Sequence, residues 1–215
     1  MPVRIITIER EYGSGGAMIA RRLAQILDWK IWDEELTAEI ARVAKVDHLA
    51  AARCDERCDT FLSRLFKVYA RGSYERALPI DGSRQFDADR MVEVLRNVIE
   101  GAASRGNCVI VGRGSACILR NRPDAFHAFV YAPVDEKIRR VMSLGKTEKE
   151  ARQLVEEVDA ERGEFIKHYF GTQWPSRSLY NMMINSEFGD EFVTGMILLS
   201  VAALEKHGAP HTVTA

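Results

Sequence analysis

Several things are scarce in this 215-residue chain, and each scarcity excludes a class of protein. Four cysteines are too few for a disulfide scaffold, so they are expected as reduced thiols in a cytoplasmic protein. Neither sign of charge is in excess: 30 basic residues against 31 acidic ones leave a net charge of −1. A general nucleic-acid binder or an anionic-membrane binder needs a basic surplus, so neither is expected. A local basic cleft for a phosphorylated small molecule stays compatible with that balance. The longest apolar run, residues 193–204, lies between Glu191 and Glu205 and falls short of the roughly 20 residues of a membrane span. The opening residues show no signal-peptide layout. Metal-ligand spacing is missing too. Cys54 and Cys58 stand four apart without a second pair, and Cys108 and Cys117 read as small core hydrophobes, so no metal site is expected. His48, His127, His168, His207 and His211 form no catalytic spacing. Aromatic residues make up only 8%, and Trp29, Trp32 and Trp174 read as packing residues rather than platforms for a base.

What remains is an ordinary globular composition, 47% hydrophobic and 28% charged, with no internal repeat. The β-branched run at 3–8 predicts a buried strand, and 30–32, 108–111, 126–131 and 182–184 predict four more. Between them, 17–28 predicts a helix with Ile19, Leu23, Ile26 and Leu27 on one face. Further helices are expected from Glu34 onward, with Asp33 as N-cap, and over 49–69, 87–104, 135–144, 148–168 and 191–206. In 87–104, Met91, Leu95, Val98 and Ala102 are expected to face inward. Residues 207–215 are expected to form a frayed tail. Strands alternating with helices imply an α/β fold: a five-stranded parallel sheet with helices on both faces, and ligands beyond the carboxyl ends of the strands.

Three polar segments occupy those ends, and residues 9–16 are the most informative. Tyr12-Gly13-Ser14-Gly15-Gly16 lies between a strand and a helix, where converging backbone N–H groups and the helix terminus make an anion site. The full phosphate-loop pattern G-x-x-x-x-G-K-[ST] is absent. With Gly15 as its second glycine, Arg10 takes the first glycine position, Gly16 the lysine and Ala17 the Ser/Thr. Arg10 is the cation at hand to replace the lysine; the plainer alternative is a pair with Glu9, Glu11 or Asp33.

Residues 3–27, centred on Ile8-Glu9-Arg10-Glu11-Tyr12-Gly13-Ser14-Gly15-Gly16, resemble the cytidylate kinase-like family, a branch of the P-loop nucleoside monophosphate kinases. Later segments agree in order. Cys108 to Gly114 is similar to the strand and Gly-Arg-Asp motif of cytidylate kinase, with Gly114 in place of the aspartate. Residues 123–140 resemble the next strand and its arginine-bearing helix, Asp159-Ala160-Glu161-Arg162 the Asp-x-x-Arg of the lid, and 180–186 the last strand. Glu39 stands near the place of a phosphate-binding arginine, and Val155-Glu156 replaces the first Arg-Asp of the lid.

The resemblance implies a single P-loop kinase-like domain. Its core would be about 1–33, 91–144 and 179–206, with a nucleoside-monophosphate-binding lobe at about 34–90 and a lid at about 145–178. It implies transfer of the γ-phosphoryl of ATP to CMP or a related nucleotide, with Mg²⁺ held through water because Ala17 offers no ligand. Gly13, Ser14, Gly15 and Gly16, with Arg139 or Arg140, would bind the donor phosphates. Arg10, Arg113 and Arg162 would act on the phosphates in transfer, and Asp33 and Arg113 would hold the acceptor. Small-molecule nucleotides are the implied partners. Arg113 has a structural ion pair as its alternative, Arg162 a solvated helix face, and Asp33 a helix cap. Two other readings stay open: a nucleotide-binding protein with little or no catalysis, and a kinase for another phosphorylated metabolite.

Overall fold

The computed structural model describes residues 2–33 and 88–207, with Leu36, Glu39 and Arg42 between them. Five all-parallel strands form its sheet: β1 (Ile5–Arg10), β2 (Lys30–Trp32), β3 (Cys108–Val111), β4 (Ala125–Tyr131) and β5 (Met182–Asn185), in the order β2-β3-β1-β4-β5. β1 lies at the centre, its six residues buried on both faces and paired from Ile5 with Ala125 through Arg10 with Val130. Only a strand covered on both sides carries so many apolar residues in succession. The helices are α1 (Gly16–Leu27), α2 (Ala88–Arg105), α3 (Ser115–Ile118), α4 (Val134–Met142), α5 (Glu148–Phe170) and α6 (Asp190–His207).

Alternation along each strand splits the core in two. Ile5, Cys108 and Ile110 face one side and pack with Leu95 and Ile99 of α2 and Phe165 and Ile166 of α5. Ile6, Ile8, Val109, Val111, Ala128 and Val130 face the other and pack with Ile19 and Leu23 of α1 and Val193 and Ile197 of α6. Each fully buried Ile here contributes about 2 kcal/mol of transfer free energy. A smaller cluster joins Ile138 and Val141 of α4 to Ala151 and Val155 of α5, with Tyr12 against it. α5 begins at a capping box between Thr147 and Glu150 and ends at Gly171, whose φ is +61°.

Two expectations change. β1 runs two residues beyond the apolar stretch, so Arg10 ends the strand instead of lying in the loop. Ile26 is exposed, because Ala20 and Ala24 complete the buried face of α1 instead. Asp33 meets two arginines, as described below, while the first turn of the helix it is expected to cap lies outside the described residues. The helix expected at 49–69, Cys54, Cys58 and His48, nearly all of the 34–90 lobe, and the tail after His207 lie outside the described residues. So does the side chain of Met91; Leu95 and Ala102 are buried and Val98 partly so. Trp29 and Trp32 pack into the two core clusters, and Trp174 lies edge-on to Phe129.

Candidate active site

The carboxyl ends of β1, β3 and β4 converge on two glycine loops. The first links β1 to α1. Gly13 and Gly15 have φ near +80°, a conformation in which only glycine is unstrained. A Cβ on Gly13 would meet the Lys137 carbonyl at 2.8 Å, and one on Gly15 would overlap the Arg140 guanidinium. Ser14 is fully buried, its hydroxyl donating to the Glu11 carbonyl at 2.8 Å, so its side chain turns away from the cleft. The open side of the loop is lined by Arg10, Tyr12, Gly13, Gly15, Gly16 and Arg162.

Arg10 and Gly16 fit each other. A Cβ on Gly16 would stand 2.5 Å from the Arg10 Cβ and 2.9 Å from its Cγ. The stem of Arg10 therefore occupies the space beside the first residue of α1, where a phosphate loop carries its lysine. Its guanidinium lies 3.9 Å from Asp33, and its carbonyl accepts a 2.8 Å bond from Arg162 Nη1. The ion pair with Asp33 expected as the alternative is thus present at long range, while Glu11 pairs elsewhere.

The second loop, Gly112-Arg113-Gly114, has three successive positive φ values, +68°, +58° and +70°. A non-glycine residue held there costs on the order of 1 kcal/mol, strain that clusters at working sites. The turn folds the Arg113 side chain back, 1% exposed, to donate to the Val111 carbonyl at 2.9 Å and to Asp33 at 3.4 Å. The Gly114 N–H donates to Glu9 at 3.2 Å. Burial pushes the Glu9 carboxyl up from its ordinary range, against the pull of Arg10, Arg162 and Arg113. Glu9, Arg10, Asp33, Arg113 and Arg162 are all 4% exposed or less, and Arg162 also pairs with Asp159 at 3.5 Å, so three arginines meet three carboxylates. Arg162 sits on the buried side of its charged helix, not on a solvated face.

Of the adjacent arginines on α4, Arg140 faces the loop and Arg139 the solvent. Arg140 donates to Asp190 at 2.8 Å, to the Ser186 carbonyl at 2.9 Å and to the Ser14 carbonyl at 3.3 Å. Arg139 is paired with Glu136 on the surface, which removes it from the expected donor-phosphate set. Lys137 escaped the sequence reading. Its ammonium bridges Glu11 at 2.9 Å and Asp159 at 3.1 Å, and Asp159 accepts the Tyr12 N–H at 2.7 Å. Burial works against the Lys137 charge, yet the two carboxylates outweigh it and hold its pKa up. The available signal was helical spacing, since Lys137 and Arg140 are three apart and share a face. Glu39 pairs with Arg42 on the surface.

An anionic phosphate fits this chemistry: a glycine cradle at the start of a 12-residue helix, ringed by Arg10, Arg140, Arg162 and Lys137. A metal has less to hold. Among the described residues no three His, Cys, Asp or Glu side chains gather, and Ala17 supplies no hydroxyl. Burial raises the Cys108 and Cys117 thiols to about 11 and about 12, so neither is a nucleophile. No described helix is long and apolar enough to cross a membrane.

A sequence profile of the cytidylate kinase-like family matches residues 5–187. The chain belongs to that family. Among curated proteins, a cytidylate kinase from Methanosarcina mazei is 28% identical over 97 residues, which is 44% of this chain and 54% of that enzyme. The match thus spans about half of that relative. A solved structure of an uncharacterized protein from Eubacterium ventriosum aligns with a TM-score of 0.68 and 25% identity, over 93% of this chain and 98% of that one. Shikimate kinase from Acinetobacter baumannii, in complex with shikimate, aligns at 0.52 and 14%, over 94% of each chain. A Bacillus subtilis protein in complex with phosphorylated GDP aligns at 0.50 and 10%, over 96% and 99%. The last two likenesses fix the fold, an α/β P-loop kinase fold.

Proposed function

We propose that this cytidylate kinase-like protein transfers the γ-phosphoryl group of ATP to the phosphate of CMP or a closely related nucleoside monophosphate. An acceptor phosphate oxygen attacks the γ-phosphorus, the bond to the β,γ-bridging oxygen breaks, and ADP leaves. Such transfer asks a protein chiefly for positioning and charge neutralisation. The observation that carries the reading is the gathering of three buried arginines, Arg10, Arg113 and Arg162, beside the glycine cradle.

In this reading Gly13, Ser14, Gly15 and Gly16 supply the loop, and Arg140 neutralises the donor phosphates with Arg10 in place of the missing lysine. Arg162, reaching from the helix of the 145–178 lid, neutralises the phosphoryl in flight. Arg113 and Asp33 hold the acceptor side. Mg²⁺ is held through the donor phosphates and water, since position 17 is alanine.

One observation favours a second reading, a nucleotide-binding protein with little catalysis. The Tyr12 amide, part of the phosphate cradle, is already engaged by Asp159. Coupled measurement of ADP release with ATP, Mg²⁺ and a panel of nucleoside monophosphates decides. Turnover greatest with CMP or dCMP is expected. ATP binding without turnover on any acceptor overturns the kinase reading, and turnover only with acceptors that are not nucleotides overturns the acceptor class.

A further inference from the structure

α6 is apolar on more than one side, and a helix of that kind is normally covered all round. Val193, Ile197 and Val201 enter the core. On the opposite side Phe192 is 51% exposed and Leu199 66%, and Phe188, just before the helix, is 69% exposed with its ring against Phe192. At 100° per residue, Phe192, Gly195, Met196, Leu199, Ala202 and Ala203 form one stripe centred on Leu199. A Cβ on Gly195 would meet nothing within 4 Å, so the stripe is open at its narrowest point. Beside it, Met18, Arg22 and Ile26 make an exposed stripe on α1, joined to α6 by the pair between Arg22 and Glu191. A monomer rarely leaves so continuous an apolar face to water.

The pattern of charge says what covers it. α6 carries Asp190 and Glu191 in its first turn, no charge from residue 192 to 204, and Glu205 and Lys206 at its far end, where Glu205 is held by the Val3 N–H at 2.8 Å and Lys206 falls on the exposed stripe. Such a helix complements itself when turned end for end. A two-fold axis between Leu198 and Leu199 sets Glu191 against Lys206, Gly195 against Ala202, and the two Leu199 side chains across the axis. The small residues allow close approach, and the opposed helix dipoles add to the match. A net charge of −1 sets up almost no repulsion between copies.

We propose that α6, widened by the exposed stripe of α1, is the interface of a symmetric homodimer in which it packs antiparallel against the same helix of a second copy. Sedimentation velocity on the full chain from about 1 to 100 μM tests it, with a dimer expected across most of that range. Leu199→Arg should weaken association roughly 100-fold or more while leaving the circular dichroism spectrum unchanged, because Leu199 is 66% exposed. Phe192→Glu serves the same purpose should Leu199→Arg fold poorly. In an Arg22→Ala background, which removes the partner of Glu191 in its own chain, Glu191→Lys should weaken the dimer several-fold, and Glu191→Lys with Lys206→Glu in the same chain should restore it, since each copy then offers both reversed charges. A wild-type monomer at every concentration overturns the proposal. So does a dimer indifferent to both apolar variants, which places the interface elsewhere. A double charge reversal that fails to recover the dimer overturns the antiparallel arrangement.

Discussion

The chain makes two glycine loops at the same edge of the sheet and uses them in opposite ways. After β1, the space left by Gly13 and Gly15 is taken by the Lys137 carbonyl and the Arg140 guanidinium of α4, beside a cleft that Arg10 and Arg162 also line. After β3, Gly112 and Gly114 close the space. The ring of Phe170 sits where a Gly114 side chain would stand, and the loop amide is taken by Glu9. The same residue type, with the same left-handed backbone, makes room for polar groups beside an open cleft in one loop and for an aromatic ring in the other. Glycine content alone does not locate a phosphate site; what stands in the vacated volume does.

Substitutions in the two loops should therefore fail differently. The largest effect is expected from Gly114→Ala, which puts a methyl into the Phe170 ring at φ +70°. It should lower stability by about 2–5 kcal/mol by denaturant titration. Unchanged stability would mean that the second loop is as open as the first.

A pH scan separates the packed region from the charged one. His127 lies in the packed region, bonded to Thr7 at 2.7 Å, and burial holds its pKa down to about 4. Between its ordinary value and that one, the unfolded chain binds a proton that the folded chain refuses. Stability should fall as pH drops through this window, by about 3 kcal/mol in all. The difference between wild type and His127→Gln isolates that share, and a difference flat from pH 7 to about 4 would contradict it.

In the open loop the cost should fall on the ligand. Arg10→Ala should cut phosphoryl transfer about 100-fold or more, with a smaller loss of ATP affinity. Restoring the usual lysine by Gly16→Lys alone should not help, because its Cβ collides with the stem of Arg10. Adding Gly16→Lys to Arg10→Ala should recover part of the rate. Wild-type turnover in Arg10→Ala would remove Arg10 from the site. The smallest effects come from α4. Arg140→Ala should weaken ATP binding roughly 10-fold by calorimetry, and Arg139→Ala should change nothing measurable.

Much of the fold was legible because its signals are local. The β-branched runs of β1 and β3 mark buried parallel strands, and apolar spacing marks α2 and α5 within a residue or two of their ends. Arg10 was harder, since a charged residue at the end of an apolar run reads as loop. The sheet keeps it because Val130 lies beside it and its carbonyl receives Arg162. Arg162 was ambiguous because α5 has charge on nearly every face, and only tertiary packing buries one of them. Arg139 and Arg140 could not be told apart by sequence distance. The choice depends on Asp190 and Ser186, about fifty residues away. Lys137 was overlooked since its partners, Glu11 and Asp159, belong to two other segments of the chain.

One backbone proton lies where those segments meet. The Tyr12 N–H belongs to the glycine loop but is held by Asp159, a residue of α5. A phosphate that recruits this amide and a helix that retains it compete for the same hydrogen, so filling the loop and releasing α5 are linked, each at the other's expense. The Tyr12 amide resonance and its exchange with solvent deuterium thus report both events at a single atom, and they do so in the resting protein, with no turnover required.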